Sequence, residues 1–355
     1  MNLKVRVGDL VPWFIGRTAE NPRYAFDTTG GLNVLLTFTA SASGPFERKL
    51  LTGLSNVPQL FDEKDSKWFI VSPDPDDEAP GRLPLRIPGI RGFYDRDHEI
   101  ASAFGVEYKP GQPISYLISP RQQIFGIILS GDPERQINTI ARVLENSIPV
   151  ADIDRVWGSA PIVIVPYVFD SNLCKELIAR YDRQGGAPSG FMQEIDGRTV
   201  GVHDDRHKVR RDIVLTDSAL IDMIHGLFKQ RVMPQIQRAY QYQGQYMERY
   251  IVACYDSAEG GHFGRHRDNG TAGTAHRRFA ATVNLNDDYD GGELRFPEFG
   301  TRTYHPPSGA ALVFSCSLLH QVLAMRRGKR YAFLPFIYDE KGARTRYENA
   351  HLLSE

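Results

Sequence analysis

Tyr255-Asp256-Ser257-Ala258-Glu259-Gly260-Gly261-His262-Phe263-Gly264-Arg265-His266-Arg267-Asp268 is the stretch on which the reading of this chain turns. His266 and Asp268 stand two apart, so on an extended strand both side chains leave the same face. From Tyr246 onward the sequence runs in short apolar segments separated by Gly, Asn, Asp and Pro turns, the pattern of a β-sandwich or barrel. A distant strand that delivers His320 to the same face would bring two imidazoles and one carboxylate together. Such a donor set holds non-haem Fe(II) on one side and leaves the other open, which points to an oxygen-activating enzyme.

Working outward, residues 161–166 read as a strand and Ser171 as the N-cap of a helix running through Tyr181. Residues 185–211, rich in Gly, Pro, Ser and charge, read as loop, and 219–240 as a long helical pattern interrupted near Pro234. Residues 147–160 look like a joint. Before the joint, strand patterns at 32–39, 68–72, 114–118 and 123–128 alternate with helical ones at 45–54, 99–104 and 133–146. The last of these has apolar residues at 137, 140, 141 and 144, the spacing of an amphipathic helix. Alternating strands and helices argue for an α/β domain. The expected division is therefore residues 1–150 and 155–355.

With 355 residues the chain is long for a single core. Forty-two Lys and Arg balance 43 Asp and Glu, leaving a net charge of −1, so nothing forecasts attraction to nucleic acid or to anionic membranes. The first residues, Met1 to Asp9, show no apolar run of signal-peptide type, and no stretch approaches the roughly 18 apolar residues of a membrane span. Cys174, Cys254 and Cys316 form no CxxC pair and are too few for a disulfide framework. A reducing, cytoplasmic location is the expectation.

The C-terminal half resembles the prolyl 4-hydroxylase-like branch of the Fe(II)/2-oxoglutarate dioxygenases, over residues 161–340. The resemblance is carried in order by Ala253-Cys254-Tyr255, His266-Arg267-Asp268-Asn269, the run from Leu285 through Gly291-Gly292-Glu293-Leu294, Phe296-Pro297-Glu298, His320-Gln321-Val322 and Gly328-Lys329-Arg330-Tyr331-Ala332. It implies a double-stranded β-helix (jelly roll) with flanking helices. It further implies Fe(II) held by His266, Asp268 and His320, with 2-oxoglutarate and dioxygen as co-substrates and ascorbate as an optional addition. Arg330, ten positions beyond His320, falls where the family places the cation for the far carboxylate of 2-oxoglutarate. Lys329 is its rival and projects oppositely on a regular strand. Tyr255 matches a tyrosine near the co-substrate. Where relatives often carry Tyr before the Leu-Asn pair, this chain has Asn284; with Thr282 it could line the pocket, which leaves the carboxylate contact there open. Arg278 is either a substrate contact or part of a solvated charge run, and His203, His207, His262 and His276 show no ligand-like partners.

Residues 3–148 resemble a peroxiredoxin, a thioredoxin-like fold. The match rests on Val7-Gly8-Asp9-Leu10-Val11-Pro12, the strand from Val34 to Phe38, Phe69-Ile70-Val71-Ser72, the stretch from Asp95 to Gly105, and Tyr116-Leu117-Ile118-Ser119-Pro120. Where the family needs its nucleophilic cysteine, the chain reads Thr39-Ala40-Ser41-Ala42-Ser43-Gly44-Pro45-Phe46. A serine hydroxyl cannot run the thiolate-to-sulfenate cycle, so the fold is expected without peroxidase activity.

The reading is then a two-domain hydroxylase acting on a peptidyl side chain, prolyl among the candidates, or on a small molecule, with release of succinate and CO2. The N-terminal domain would serve dimerisation, stabilisation or substrate presentation. The alternatives are a non-catalytic ligand-binding or interaction protein built from the same two modules, and a peroxidase working through Cys174, Cys254 or Cys316.

Overall fold

A computed structural model describes residues 3–129, 131–147 and 149–354. Met1, Asn2, Ser130, Ile148 and Glu355, which fall within the expected domain ranges, lie outside the described residues. The chain divides into one unit of Met1–Ser159 with Pro297–Arg302 and another of Ala160–Phe296 with Thr303–Glu355.

In the first unit the strand Asn33–Phe38 is buried along its whole length because it lies in the middle of a five-stranded sheet. The order is Ile90–Tyr94, Ser66–Ser72, Asn33–Phe38, Ile114–Ile118, Ile124–Ile128; the first three are parallel and the last two antiparallel. Parallel neighbours need a crossover, and the helix Pro45–Ser55 supplies the first. It packs with Pro133–Glu145 on one face, placing Leu50, Leu54, Ile140 and Leu144 against Leu35, Trp68 and Ile70. Glu99–Phe104 covers the other face, with Ile100 and Phe104 beside Leu36, Phe38, Phe69 and Tyr116. Residues 34–38 are apolar nearly throughout because both faces are covered. This is a thioredoxin-like arrangement of sheet and helices. At the turn where a peroxiredoxin needs its thiol, Ser41 Oγ donates to Asp74 Oδ2 at 2.5 Å and the Ala42 N–H to Asp77 Oδ2 at 2.8 Å.

The second unit is a jelly roll of two facing sheets. The larger runs Tyr246–Glu248, Phe336–Tyr338, Phe279–Asn284, Lys329–Phe333, Ile251–Asp256, Arg211–Val214, Ala187–Pro188, with Ala311–Ser315 on the free side of Phe279–Asn284 and Ile162–Val165 beyond it. The smaller runs Lys208–Val209, His262–His266, His320–Val322, Leu294–Arg295, Thr303–Tyr304. Alternation sorts the large sheet's two faces. Val252, Cys254, Val283, Leu285, Tyr331 and Phe333 join Leu173, Leu177, Leu220, Ile224, Phe228 and Ile236 of the flanking helices in one core. Their sequence neighbours Tyr255, Thr282, Asn284 and Arg330 are also buried but point the other way, into the roll. Among the described residues no helix is long and apolar enough to cross a membrane.

Two local expectations need correction. The N-cap of Ser171–Gln184 is Asp170, not Ser171: its Oδ1 accepts from the Leu173 N–H at 2.8 Å, and a carboxylate at that position also complements the helix dipole. Residues 185–211 are not loop. They hold the hairpin Phe191–Ile195/Arg198–Val202 and the strand Lys208–Val209, and Arg211 opens the next strand, Arg211–Val214. Lys208–Val209 pairs with His262–His266 and Arg211–Val214 with Ile251–Asp256, partners far along the chain that composition does not register. The helical pattern expected over 219–240 with an interruption near Pro234 is present: helix Ser218–Leu227 gives way to a π-helical segment, Phe228–Val232, before Met233–Tyr240, so the regular α-helix breaks just ahead of the proline.

His276 also has a partner. Its Nε2 lies 2.9 Å from Glu248 Oε1, outside good hydrogen-bonding alignment, while Arg277 Nε donates to the same oxygen at 2.7 Å and Arg346 Nε lies 3.2 Å from Oε2. Burial alone raises the Glu248 carboxyl, but the contacts with His276 and Arg277 outweigh it and hold the group at about 2. A carboxyl lowered on folding contributes stability fully above its unfolded value and loses it as pH falls through the folded one. Glu248→Gln is therefore expected to destabilise the second unit by about 3 kcal/mol at pH 7, the difference shrinking between about pH 4.5 and pH 2. Urea denaturation of both proteins across that range is the check; a pH-independent difference would refute it.

Candidate functional site

Two antiparallel strands of the smaller sheet set His266 directly opposite His320. Their ring centroids are 4.2 Å apart. Asp268 follows two residues after His266, and its N–H donates to the Cys316 carbonyl at 3.0 Å, which anchors the chain as the strand ends. Its Oδ1 lies 3.6 Å from His266 Nε2 and its Oδ2 3.4 Å from His320 Nε2. Ligand atoms of the three residues fall within 4.8 Å of one another, a separation one metal ion can span.

The histidines are held with their Nε2 atoms inward. His266 Nδ1 lies 2.8 Å from the Gly264 carbonyl and His320 Nδ1 3.0 Å from the Leu318 carbonyl. A carbonyl only accepts, so each Nδ1 carries the proton and each Nε2 keeps its lone pair. Burial, and then the neighbouring His320 ring, hold His266 well below the ordinary histidine value, so it stays neutral. Two neutral Nε2 donors and a carboxylate fit a divalent, borderline metal such as Fe(II).

The anion side of the site comes from the larger sheet. Arg330 is directly opposite Tyr255 in the ladder, and its guanidinium carbon is 5.5 Å from that ring's centre. Arg330 is 2 % exposed, and its partners are neutral: Nε and Nη2 donate to Asn284 Oδ1 at 3.1 and 3.0 Å, Nη2 to Thr282 Oγ1 at 2.8 Å, and the Tyr289 hydroxyl is a further side-chain partner. Among the described residues no carboxylate lies within ion-pair distance of it. A buried guanidinium without a counter-ion is costly, and an incoming carboxylate removes that cost. Asn284 donates its amide to the Pro306 carbonyl at 2.6 Å, so its remaining polar atom faces Arg330. It holds the arginine rather than offering its amide to a ligand. Gly292 makes room here: at φ +66° a Cβ would come within 3.2 Å of Arg330 Cδ and 2.5 Å of Met325 Sδ.

Lys329 points away, half exposed, with Nζ 3.2 Å from Asp256 Oδ2. The Tyr255 hydroxyl accepts from Arg210 Nη1 at 3.4 Å, which leaves its own O–H free to donate. Arg278 Nη1 donates to the Ala275 carbonyl at 2.8 Å, and the neighbouring His276 and Arg277 are buried, so this run is not a solvated face. All three cysteines are buried, and burial raises each thiol, Cys254 to about 11. Reactive thiolates need the opposite environment.

Sequence reasoning missed Lys208, Arg210, Asp212 and Ser189. Arg210 grips Asp212 with two bonds of 2.7 and 2.6 Å, and Arg210 Nη2 and Lys208 Nζ both donate to Ser189 Oγ, at 3.1 and 2.9 Å. The opposite charges two apart at 210 and 212 were the available signal, hidden by treating that stretch as loop.

Residues 250–338 match the model of the 2OG-Fe(II) oxygenase superfamily. A PKHD-type hydroxylase of Synechococcus sp. (strain JA-2-3B'a(2-13)) is 31 % identical over 94 residues, which is 24 % of this chain and 41 % of that protein. The chain thus spans well under half the length of that relative. Among solved structures, a Trichoplax adhaerens prolyl hydroxylase in complex with a hypoxia-inducible-factor oxygen degradation domain peptide is similar at 18 % identity and TM-score 0.40, covering 60 % of this chain and 96 % of that one. Xanthomonas campestris peroxiredoxin Q is similar at 14 % identity and TM-score 0.33, covering 37 % of this chain and 89 % of that one.

Proposed function

We propose, from the 2OG-Fe(II) oxygenase domain that residues 250–338 carry, that this protein is an Fe(II)- and 2-oxoglutarate-dependent dioxygenase hydroxylating a peptidyl side chain, prolyl among them, or a small molecule. The observation that carries the reading is the convergence of His266 Nε2, His320 Nε2 and Asp268, with both Nδ1 atoms committed to carbonyls. His266, Asp268 and His320 would hold the metal. Bound iron supplies dioxygen activation coupled to oxidative decarboxylation of 2-oxoglutarate, the chemistry that hydroxylates a substrate and leaves succinate and CO2.

The chain's own groups orient the co-substrate. Arg330, locked by Asn284 and Thr282, presents N–H donors to the far carboxylate of 2-oxoglutarate. Tyr255, opposite Arg330 in the ladder, donates its hydroxyl proton to the same ligand. The apolar neighbours Phe263, Phe296 and Phe314 limit water around the histidine rings, Phe263 stacking on His266 at 3.5 Å between centroids. The first unit contains no cysteine, so we assign it a non-redox, supporting role.

The test adds Fe(II) and then 2-oxoglutarate to metal-free protein without oxygen and looks for the metal-to-ligand charge-transfer band of the chelate. Its appearance, followed by succinate release once oxygen and ascorbate are admitted, is the expected result. Folded protein that gives no band would overturn the reading.

A further inference from the structure

Lys208 is a buried side chain near the metal ligands whose charge the proposed chemistry leaves unused. It pairs with Phe263 in the small sheet, and its Nζ lies 4.8 Å from the centre of the Phe263 ring, on which His266 stacks. Directly opposed residues of antiparallel strands share a face, so Lys208, Phe263 and Val322 line the same side of the sheet. The bulge between Phe263 and His266 then brings the histidine ring onto that side despite their odd separation.

The ammonium is 4 % exposed and touches only neutral oxygens, Ser189 Oγ at 2.9 Å and the Gly190 carbonyl at 2.5 Å. Once protonated, Nζ has three N–H donors, one more than Ser189 Oγ and the Gly190 carbonyl take up. Asp212, the nearest acidic group through Ser189, is already taken by the two-bond grip of Arg210 and lies 3.5 Å from Arg249 as well. Lys208, Arg210 and Arg249 thus share one carboxylate, and among the described residues no acidic group is within ion-pair distance of Lys208. Burial, then the Arg210 charge, pulls the Lys208 amine down to about 6, so with no counter-ion it is largely neutral at pH 7, and an incoming carboxylate would restore its proton. A filler lysine could be any apolar residue; a lysine held by two oxygens and one ring over a metal-ligand histidine is placed.

We propose that Lys208, with Ser189 positioning it, is a specificity-determining residue that receives a carboxylate of the substrate, so that the hydroxylated molecule is an acid at a fixed distance from the oxidised carbon. This rests on the oxygenase reading and deepens it by naming the substrate class. The carboxylate belongs either to a free amino acid or related small acid, or to an acidic side chain of a peptide.

The experiment uses the full chain, with binding read by ligand-observed saturation-transfer NMR, which needs no metal. Probes are the free L-amino acids against their amides, and end-blocked tripeptides containing Glu against the same peptides with Gln. The wild-type protein is expected to bind acids at least about tenfold more tightly than the matched amides in one of the two sets. Lys208→Met is expected to lose that preference and Lys208→Arg to keep most of it. Preference among free acids only identifies a small-acid substrate; preference among peptides only identifies an acidic peptide. Equal binding of acids and amides, no binding of either acid set, or a preference that survives in Lys208→Met overturns the proposal. The Fe(II)/2-oxoglutarate band, recorded on the same proteins, separates the two readings: its loss in the wild type sinks the oxygenase, whereas its presence in Lys208→Met shows an intact metal centre.

Discussion

Arg330→Ala is expected to raise the 2-oxoglutarate concentration that half-saturates the chelate band by about a hundredfold while leaving Fe(II) binding unchanged. Arg330 is 2 % exposed and its partners Asn284, Thr282 and Tyr289 are all neutral, so its charge is uncompensated until a carboxylate arrives. Deleting one partner of a buried, hydrogen-bonded charge pair costs about 2–5 kcal/mol, and about 2.8 kcal/mol is a hundredfold in affinity. Lys329→Ala is the control, expected to leave the requirement unchanged because Lys329 is half exposed and faces Asp256. Asn284→Ala keeps the guanidinium but removes the acceptor of two of its bonds, so an intermediate loss of about tenfold is expected. Anaerobic titration of the band measures all three. A normal requirement in Arg330→Ala would remove it from the site.

His266→Ala is expected to abolish stoichiometric iron. With His266 gone, a His320 Nε2 and the Asp268 carboxylate remain, a two-donor set that competes poorly with water for a ferrous ion. Equilibrium dialysis should show iron falling from about one per chain to near zero, and the charge-transfer band should vanish with it. The fold is expected to survive, because the ring's polar bond is to Gly264 within its own strand and the neighbouring Phe263 keeps its contacts with Phe191 and His207. Circular dichroism on the same sample separates loss of metal from loss of structure. Retention of full iron would mean that the three residues are not its ligands.

The motif His266-Arg267-Asp268 is local, and its same-face geometry follows from strand periodicity alone. The alternation of Thr282 and Asn284 against Val283 and Leu285 is equally local, and it separates the interior of the roll from the helix-covered core. So are the apolar strands and amphipathic helices of the first unit, together with the missing thiol at residues 39–46. Residues 185–211 show where local reading ends: their strands exist because Arg211–Val214 finds Ile251–Asp256 and Lys208–Val209 finds His262–His266.

What the sequence determined by itself was the donor chemistry and the two fold classes, since both are written in residue types at short, regular spacings. Which charges are neutralised was decided only by tertiary structure. Glu248 meets His276, Arg277 and Arg346, Asp212 is claimed by Arg210, and Arg330 and Lys208 are left among neutral oxygens. Ion pairing in a β-roll depends on which strands lie side by side, and strands that are neighbours in space here are separated by tens of residues along the chain.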